Sequence, residues 1–230
     1  MGKSLALACV FTTLTAFSAQ AGDACGPGHM RSAGVRDGVL SLRWEGRIER
    51  QMYAEIAAEF HQYKRMSKTV SLSLKSCGGN SRSMEAAINL LTYIKATHSL
   101  TTVVDRGSVC GSACVPIFLA GHRRVGALAS LWFFHPGQSP QRGAAVPTRE
   151  LEANFTDSMI NRYFVPAGVD PDWILQLRRT LNKNDLWQTG RDLWESNSNI
   201  LTETLDNKQP RDEGPIDLAP ALACGSVCQG

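Results

Sequence analysis

The amino-acid sequence predicts one α/β domain built on a mainly parallel sheet with flanking helices. Three observations point there. Segments with an apolar period of two alternate with segments of helical period, and the connections between them are short. A chain of 230 residues, 43% hydrophobic and 20% charged, suits a single full core. Short strand–helix–strand connections favour right-handed crossovers, and therefore parallel strands.

The elements follow in order. "GVLSLRWEGRI" from Gly38 alternates apolar and polar residues, with Val39, Leu42 and Trp44 as the expected buried face, and reads as a strand ending near Gly46. In "MYAEIAAEFHQYK", Tyr53, Ile56, Phe60 and Tyr63 recur at helical steps. "TVSLSLKS" returns to period two through Val70, Leu72 and Leu74 and stops at Gly78-Gly79. "SMEAAINLLTYIK" sets Met84, Ala87, Ile88, Leu91 and Ile94 on one helical stripe. "LTTVVD" is short and β-branched, a further strand. The apolar run from Ala113 to Ala120 reads as a buried helix with Pro116 in its first turn. "SLWFFHP" is a strand ending at His135-Pro136.

Beyond Pro136 the pattern changes. "GQSPQRGAAVPT" is a loop by composition. "RELEANFTDSMINRYF" reads as a helix with Leu151, Phe155, Met159 and Tyr163 in phase. "DPDWILQLRRTL" opens a helix with Asp170 as N-cap and Pro171 at its first position. These helices form an addition after the core.

The first residues stand apart. Lys3 supplies a positive end, "LALACVFTTLTAF" is a short apolar run, and "AQA" at 19–21 offers small residues for cleavage after Ala21. The expected organisation is a signal peptide over 1–21, an N-terminal arm over 22–37, the domain over 38–205 and a tail over 206–230 with two cysteines. Export to the periplasm or medium follows from the leader. No later segment is long and apolar enough to span a membrane, so no membrane span is expected in the mature chain. The net charge of +3 is too weak to argue for nucleic acid, and His122-Arg123-Arg124 reads as a solvated loop.

Of seven cysteines, Cys9 leaves with the leader, which leaves Cys25, Cys77, Cys110, Cys114, Cys224 and Cys228. An even set in an oxidising compartment points to disulfides. Structural zinc usually shows tighter two-residue knuckles than Cys-x3-Cys, so no metal is expected. Cys110 with Cys114 is feasible only if Cys110 lies outside regular helix. Cys77 with Cys110 or Cys114, and Cys25 with Cys224 or Cys228, stay open beside it. A nucleophilic cysteine near a helix start ranks below these.

The candidate chemistry gathers at strand ends. Ser112 follows a strand and opens the buried helix, which fits a nucleophile and a plain N-cap alike. Gly78-Gly79 ends another strand, where backbone N–H groups can turn toward a ligand. His135 ends a third. Asp185 is one of several late acids, and nothing local selects it.

Together these segments resemble the proteolytic subunit of the Clp protease and its exported relatives, within the crotonase-like superfamily. "SLKSCGGNSRSMEAAINLLTYIK" resembles that family's strand, glycine turn and helix. "GSVCGSACVPIFLAGHRR" resembles its nucleophile segment, "LWFFHP" the strand ending in the catalytic histidine, and "NDLWQTGRDLWESNSNI" the segment opening on the catalytic aspartate. The resemblance runs from about Gly38 to Leu201. It implies a crotonase-like (ClpP-like) fold of repeated ββα-type units. It also implies Ser112 as nucleophile, His135 as general base and Asp185 as the group orienting His135. The oxyanion hole would be the N–H groups of Gly79 and Ala113, with Gly78 shaping it. No cofactor is implied; relatives of this fold assemble as trimers or rings, which leaves a homo-oligomer open. Cys77 stands where the family has proline, and Ala113 where the cytosolic protease has methionine. The loop after Pro136 does not match the segment that helps build the protease's double ring, and an exported chain has no access to an ATP-driven unfoldase, so barrel assembly and ATP dependence do not carry over.

The function this implies is an exported, ATP-independent serine peptidase acting on peptide or protein substrates. The alternative is a non-catalytic relative that uses the fold to bind peptides or an envelope protein. Crotonase-type acyl-CoA chemistry, the third course, works on a cytosolic cofactor, and the leader argues against it.

Overall fold

A computed structural model describes residues 25–136, 149–182 and 184–205. Its main sheet has six strands. In chain order β1 is His29–Arg36, β2 Val39–Glu45, β3 Thr69–Lys75, β4 Ser99–Val104, β6 Arg123–Gly126 and β9 Glu203–Thr204. They lie side by side in that order, and every pairing is parallel except β1 with β2. A second sheet holds three strands: β5 (Val109–Gly111), β7 (Leu131–Phe134) and β8 (Leu186–Thr189). There β5 runs parallel to β7, and β8 antiparallel to it. The mainly parallel α/β architecture expected from the alternating periods is the one observed.

The crossover helices are α1 (Arg50–Tyr63), α2 (Ser81–Lys95) and the short α3 (Cys114–Leu119). Helix α2 buries Met84, Ala87, Leu90, Leu91 and Ile94. Four of these are on the predicted stripe; Leu90 joins them, and Ile88, expected inside, is only partly buried. Every residue of α3 is buried. Helix α1 buries Met52, Ile56 and Phe60. Tyr53, expected inside, is 45% exposed, because Met52 takes the core-facing position one step earlier. In β2, Leu40 and not Val39 continues the buried face of Leu42 and Trp44. Leu40, Leu42 and Trp44 stand level with Val70, Leu72 and Leu74 of β3. The parallel register therefore stacks one apolar face into the core.

Two features differ from the sequence reading. The N-terminal arm contains β1, an edge strand with a register shift between Ser32 and Gly34. His122-Arg123-Arg124 is no solvated loop. Arg124 is buried in β6 and donates to three carbonyls, those of Ala167, Asn199 and Ile200. Arg123 pairs with Glu203 on the neighbouring strand.

The later helices are α4 (Arg149–Met159), which runs into a π-helical turn at Ile160–Phe164, and α5 (Pro171–Leu181). The wider turn shifts the helical phase. Ile160 and Phe164 face the core, and Tyr163, expected there, is only partly buried. Asp170 caps α5 as predicted, its carboxylate accepting from the Trp173 N–H at 2.8 Å. Helix α6 (Gly190–Glu195) follows β8 and opens on a capping box of Thr189 and Asp192. Among the described residues no helix is long and apolar enough to cross a membrane.

Candidate active site

The site lies where the two sheets meet. Strand β3 ends at Lys75, and Ser76 bridges to Cys110 at the start of the second sheet. The Ser76 N–H donates to the Val109 carbonyl at 2.8 Å, and the Gly111 N–H to the Ser76 carbonyl at 2.9 Å. This backbone stitch sets the Gly78-Gly79 turn against the turn carrying Ser112. The Ser76 hydroxyl, fully buried, accepts from the Gly78 N–H at 3.1 Å and holds the glycine turn from inside.

Contact at this meeting point leaves no room for side chains on either glycine. A Cβ on Gly78 would lie 2.6 Å from the Ser112 Cβ. One on Gly79 would lie 2.3 Å from the Ile48 carbonyl oxygen. Both glycines also hold φ values, 115° and 157°, that side chains disfavour. The turn is pinned by the Ile48 N–H donating to the Gly78 carbonyl at 2.9 Å and the Asn80 N–H donating to the Ile48 carbonyl at 2.9 Å. The Gly79 N–H lies between these bonds. Among the described residues it donates to nothing.

Ser112 has φ 51°, in the left-handed region. It does not act as the cap of α3: that place is held by Ala113, which forms no side-chain cap bond. Its hydroxyl instead lies 2.6 Å from Nε2 of His135. The serine and histidine singled out on separate strand ends are thus in direct hydrogen-bond contact. They meet because β5 and β7 are parallel neighbours, paired through Gly111 and Phe133. The Ser112 N–H donates to the Phe133 carbonyl at 2.9 Å. The Ala113 N–H, like that of Gly79, donates to no group among the described residues.

His135 is held by its other nitrogen and by its face. Nδ1 lies 2.7 Å from the Pro136 carbonyl oxygen. The ring stacks on Phe133 at a centroid distance of 5.3 Å and 25°, and Phe133 stacks on Trp187 of β8 at 4.4 Å and 26°. Asp185 immediately precedes β8 and is exposed. The last β7–β8 pair is Phe134 with Leu186, so Asp185 stands one step further on, beside His135. Among the described residues, no hydrogen bond joins the two. Phe133, Trp187 and Pro136 were not singled out from the sequence. An all-apolar strand carries no mark of which ring will stack, and a backbone carbonyl leaves no trace in residue type.

Ser112, Ala113, Gly79 and His135 open on one cavity of about 300 Å³. Its deeper walls are apolar, with Met84 from α2, Phe155 and Met159 from α4, and Leu177 and Leu181 from α5.

Two disulfides frame the site. Cys110–Cys114 spans the Ser112 turn, with Cα atoms 5.3 Å apart. Cys110 lies in β5 and only Cys114 in the helix, which meets the condition that made this bridge feasible. Cys25–Cys77 ties the N-terminal arm to the glycine turn. That pairing corrects two alternatives, Cys77 with Cys110 or Cys114 and Cys25 with a tail cysteine. Cys224 and Cys228 lie outside the described residues, as do the leader, the expected loop over 137–148 and the tail from 206. The bonded sulfurs of Cys110 and Cys114 leave no thiolate for zinc or for nucleophilic attack, and no metal-binding cluster occurs among the described residues.

A six-stranded, largely parallel sheet, a three-stranded partner sheet and a buried helix after the turn that joins them define a ClpP-like α/β fold. No family model and no curated protein matches the chain. Among solved structures, a ClpP1 mutant from Listeria monocytogenes is similar. It superposes with a TM-score of 0.55 at 17% sequence identity, over 74% of this chain and 92% of that one. At that identity the likeness concerns the fold alone.

Proposed function

We propose that the protein is a serine hydrolase, an ATP-independent peptidase, with Ser112 as nucleophile and His135 as general base. The observation that carries this reading is the 2.6 Å contact of Ser112 Oγ with His135 Nε2, beside two N–H groups, at Gly79 and Ala113, that have no acceptor among the described residues and open on a shared cavity. A nucleophile, a base within hydrogen-bond reach and convergent donors are the parts acyl transfer needs.

Ser112 Oγ attacks the carbonyl carbon of a scissile amide while its proton passes to His135 Nε2. The carbonyl oxygen takes up negative charge against the Gly79 and Ala113 N–H groups. As the C–N bond breaks, His135 returns the proton to the departing amine, leaving an acyl-Ser112 ester. Water, deprotonated by His135, then attacks that ester and regenerates Ser112. The apolar wall of Met84, Met159 and Leu177 favours an apolar side chain beside the scissile bond. The two disulfides suit an oxidising compartment, in keeping with export to the periplasm or beyond.

Labelling of the purified, oxidised protein with a fluorophosphonate tests this. The expected result is covalent labelling of wild type, none of Ser112→Ala or His135→Ala, and unchanged melting temperatures for both variants. A second reading, a non-catalytic binding protein of the same fold, is favoured by Asp185, which is exposed and, among the described residues, makes no hydrogen bond to the adjacent His135. A folded, oxidised wild type that never labels would make it the leading one.

A further inference from the structure

The triad that the family resemblance implies needs a carboxylate behind the histidine, and here that place is already occupied. His135 Nδ1 lies 2.7 Å from the Pro136 carbonyl oxygen. A carbonyl oxygen can only accept, so this contact requires the proton on Nδ1. In the neutral ring Nε2 then carries the lone pair, and it is Nε2 that faces the Ser112 hydroxyl at 2.6 Å. The productive tautomer is thus set by a backbone group. The plane of the ring is set independently by the stack of His135 on Phe133 and of Phe133 on Trp187. Phe133 and Trp187 are a cross-strand pair of β7 and β8, so the stack rests on sheet register and not on a mobile loop. The proline also restricts the backbone of His135 to extended conformations. Asp185 falls opposite His135, one register step past the last β7–β8 pair, yet it is exposed and bonds to neither the ring nor its neighbours among the described residues.

We infer that His135 is oriented by the Pro136 carbonyl and the Phe133–Trp187 stack, and that the carboxylate of Asp185 is dispensable for activating Ser112. Pro136, Phe133 and Trp187 act as positioning residues, and the functional unit is a Ser–His dyad. This rests on the serine-hydrolase reading above. A carbonyl dipole fixes the tautomer as a carboxylate does, but it carries no full negative charge to hold the imidazolium that forms.

The test is the pH dependence of the fluorophosphonate labelling rate for wild type and Asp185→Asn, with ¹⁵N NMR of the His135 ring in both. Asp185 is exposed and makes no hydrogen bond among the described residues, so the substitution is expected to leave the fold intact, which a melting curve verifies. Removing the orienting carboxylate from a working triad costs on the order of 10⁴-fold. The expected result is a loss of less than about tenfold, far short of that figure. The apparent pKa is unchanged, and the Nδ1-protonated tautomer is seen in both proteins. A larger loss, or an apparent pKa that falls in Asp185→Asn, overturns the inference and restores Asp185 as the orienting group. Should wild type itself fail to label, the hydrolase reading fails separately, and the NMR arm still decides. A ring protonated at Nδ1 in both proteins supports carbonyl orientation, and a tautomer that changes with Asp185→Asn refutes it.

Discussion

Ser112 holds a backbone conformation that a side chain resists. At φ 51° it lies in the left-handed region, where a Cβ costs about 1–2 kcal/mol. Nothing in capping rewards that cost, since the hydroxyl faces His135 and the helix cap falls on Ala113. The strain is accounted for if its use is to aim Oγ at the base, as strained turns at functional sites commonly do. Glycine adopts this conformation freely, so Ser112→Gly is expected to fold more stably than Ser112→Ala, by about 1 kcal/mol in urea titration. Neither variant should label. Equal midpoints for the two would mean that the serine stores no backbone strain. Gly78 belongs to the same argument, because its missing Cβ is what lets the Ser112 side chain approach.

At the scale of elements, the site is a junction of two short turns held by covalent and backbone stitches. Cys110–Cys114 closes the turn that carries Ser112, and Cys25–Cys77 anchors the facing turn. Opening the first should loosen the aim of Ser112 more than it loosens the fold. In Cys110→Ala/Cys114→Ala the expected stability loss is about 2 kcal/mol, as for a very short closed loop. The labelling rate should fall several-fold more than the wild-type rate does at matched fractional unfolding. A variant that melts earlier yet labels at the wild-type rate would make the bridge purely structural.

Legibility in the sequence divides along the same elements. Strands β2 and β3 alternate buried with less buried residues and helices α1 and α2 each bury one stripe, so their periods show in residue type, whereas β4 is buried on both faces and shows only its β-branched content. Edge strand β1, "HMRSAGVR", is polar and bulged, and β5 has only three residues. Both are made by pairing with neighbours and leave no period to read. The π-helical turn breaks the phase of the long later helix, which a uniform helical period, placing Tyr163 inside, does not register. Ser112, His135 and the glycine pair could be singled out because they punctuate strand ends. The pairing of Cys25 with Cys77, by contrast, depends on where the arm lies in space.

Across the whole molecule, the candidate site depends on how firmly the later helices close its cavity, and Arg124 is central to that closure. It is only 6% exposed, and among the described residues no carboxylate pairs with it. Burial lowers its pKa accordingly. Its charge is met by three backbone carbonyls: Ala167 ahead of α5, and Asn199 and Ile200 ahead of β9. The Asp170 N–H donates to the Ser198 carbonyl at 2.9 Å, tying the start of α5 to the same segment. One side chain in the sheet thus fastens both the C-terminal return of the chain and the helix whose Leu177 and Leu181 line the cavity. In Arg124→Met those carbonyls lose their donors, while relief of the buried charge offsets part of the cost. The expected net loss is about 2–4 kcal/mol in denaturant titration. Because Ser112 and His135 sit on the other sheet, a small fluorophosphonate should still label within a few-fold of wild type. A bulky apolar peptide substrate should show a raised KM with little change in kcat. A stability change below about 0.5 kcal/mol would show that the guanidinium fastens nothing. A collapse of small-probe labelling in a still-folded variant would place the coupling at the catalytic pair instead of the cavity wall.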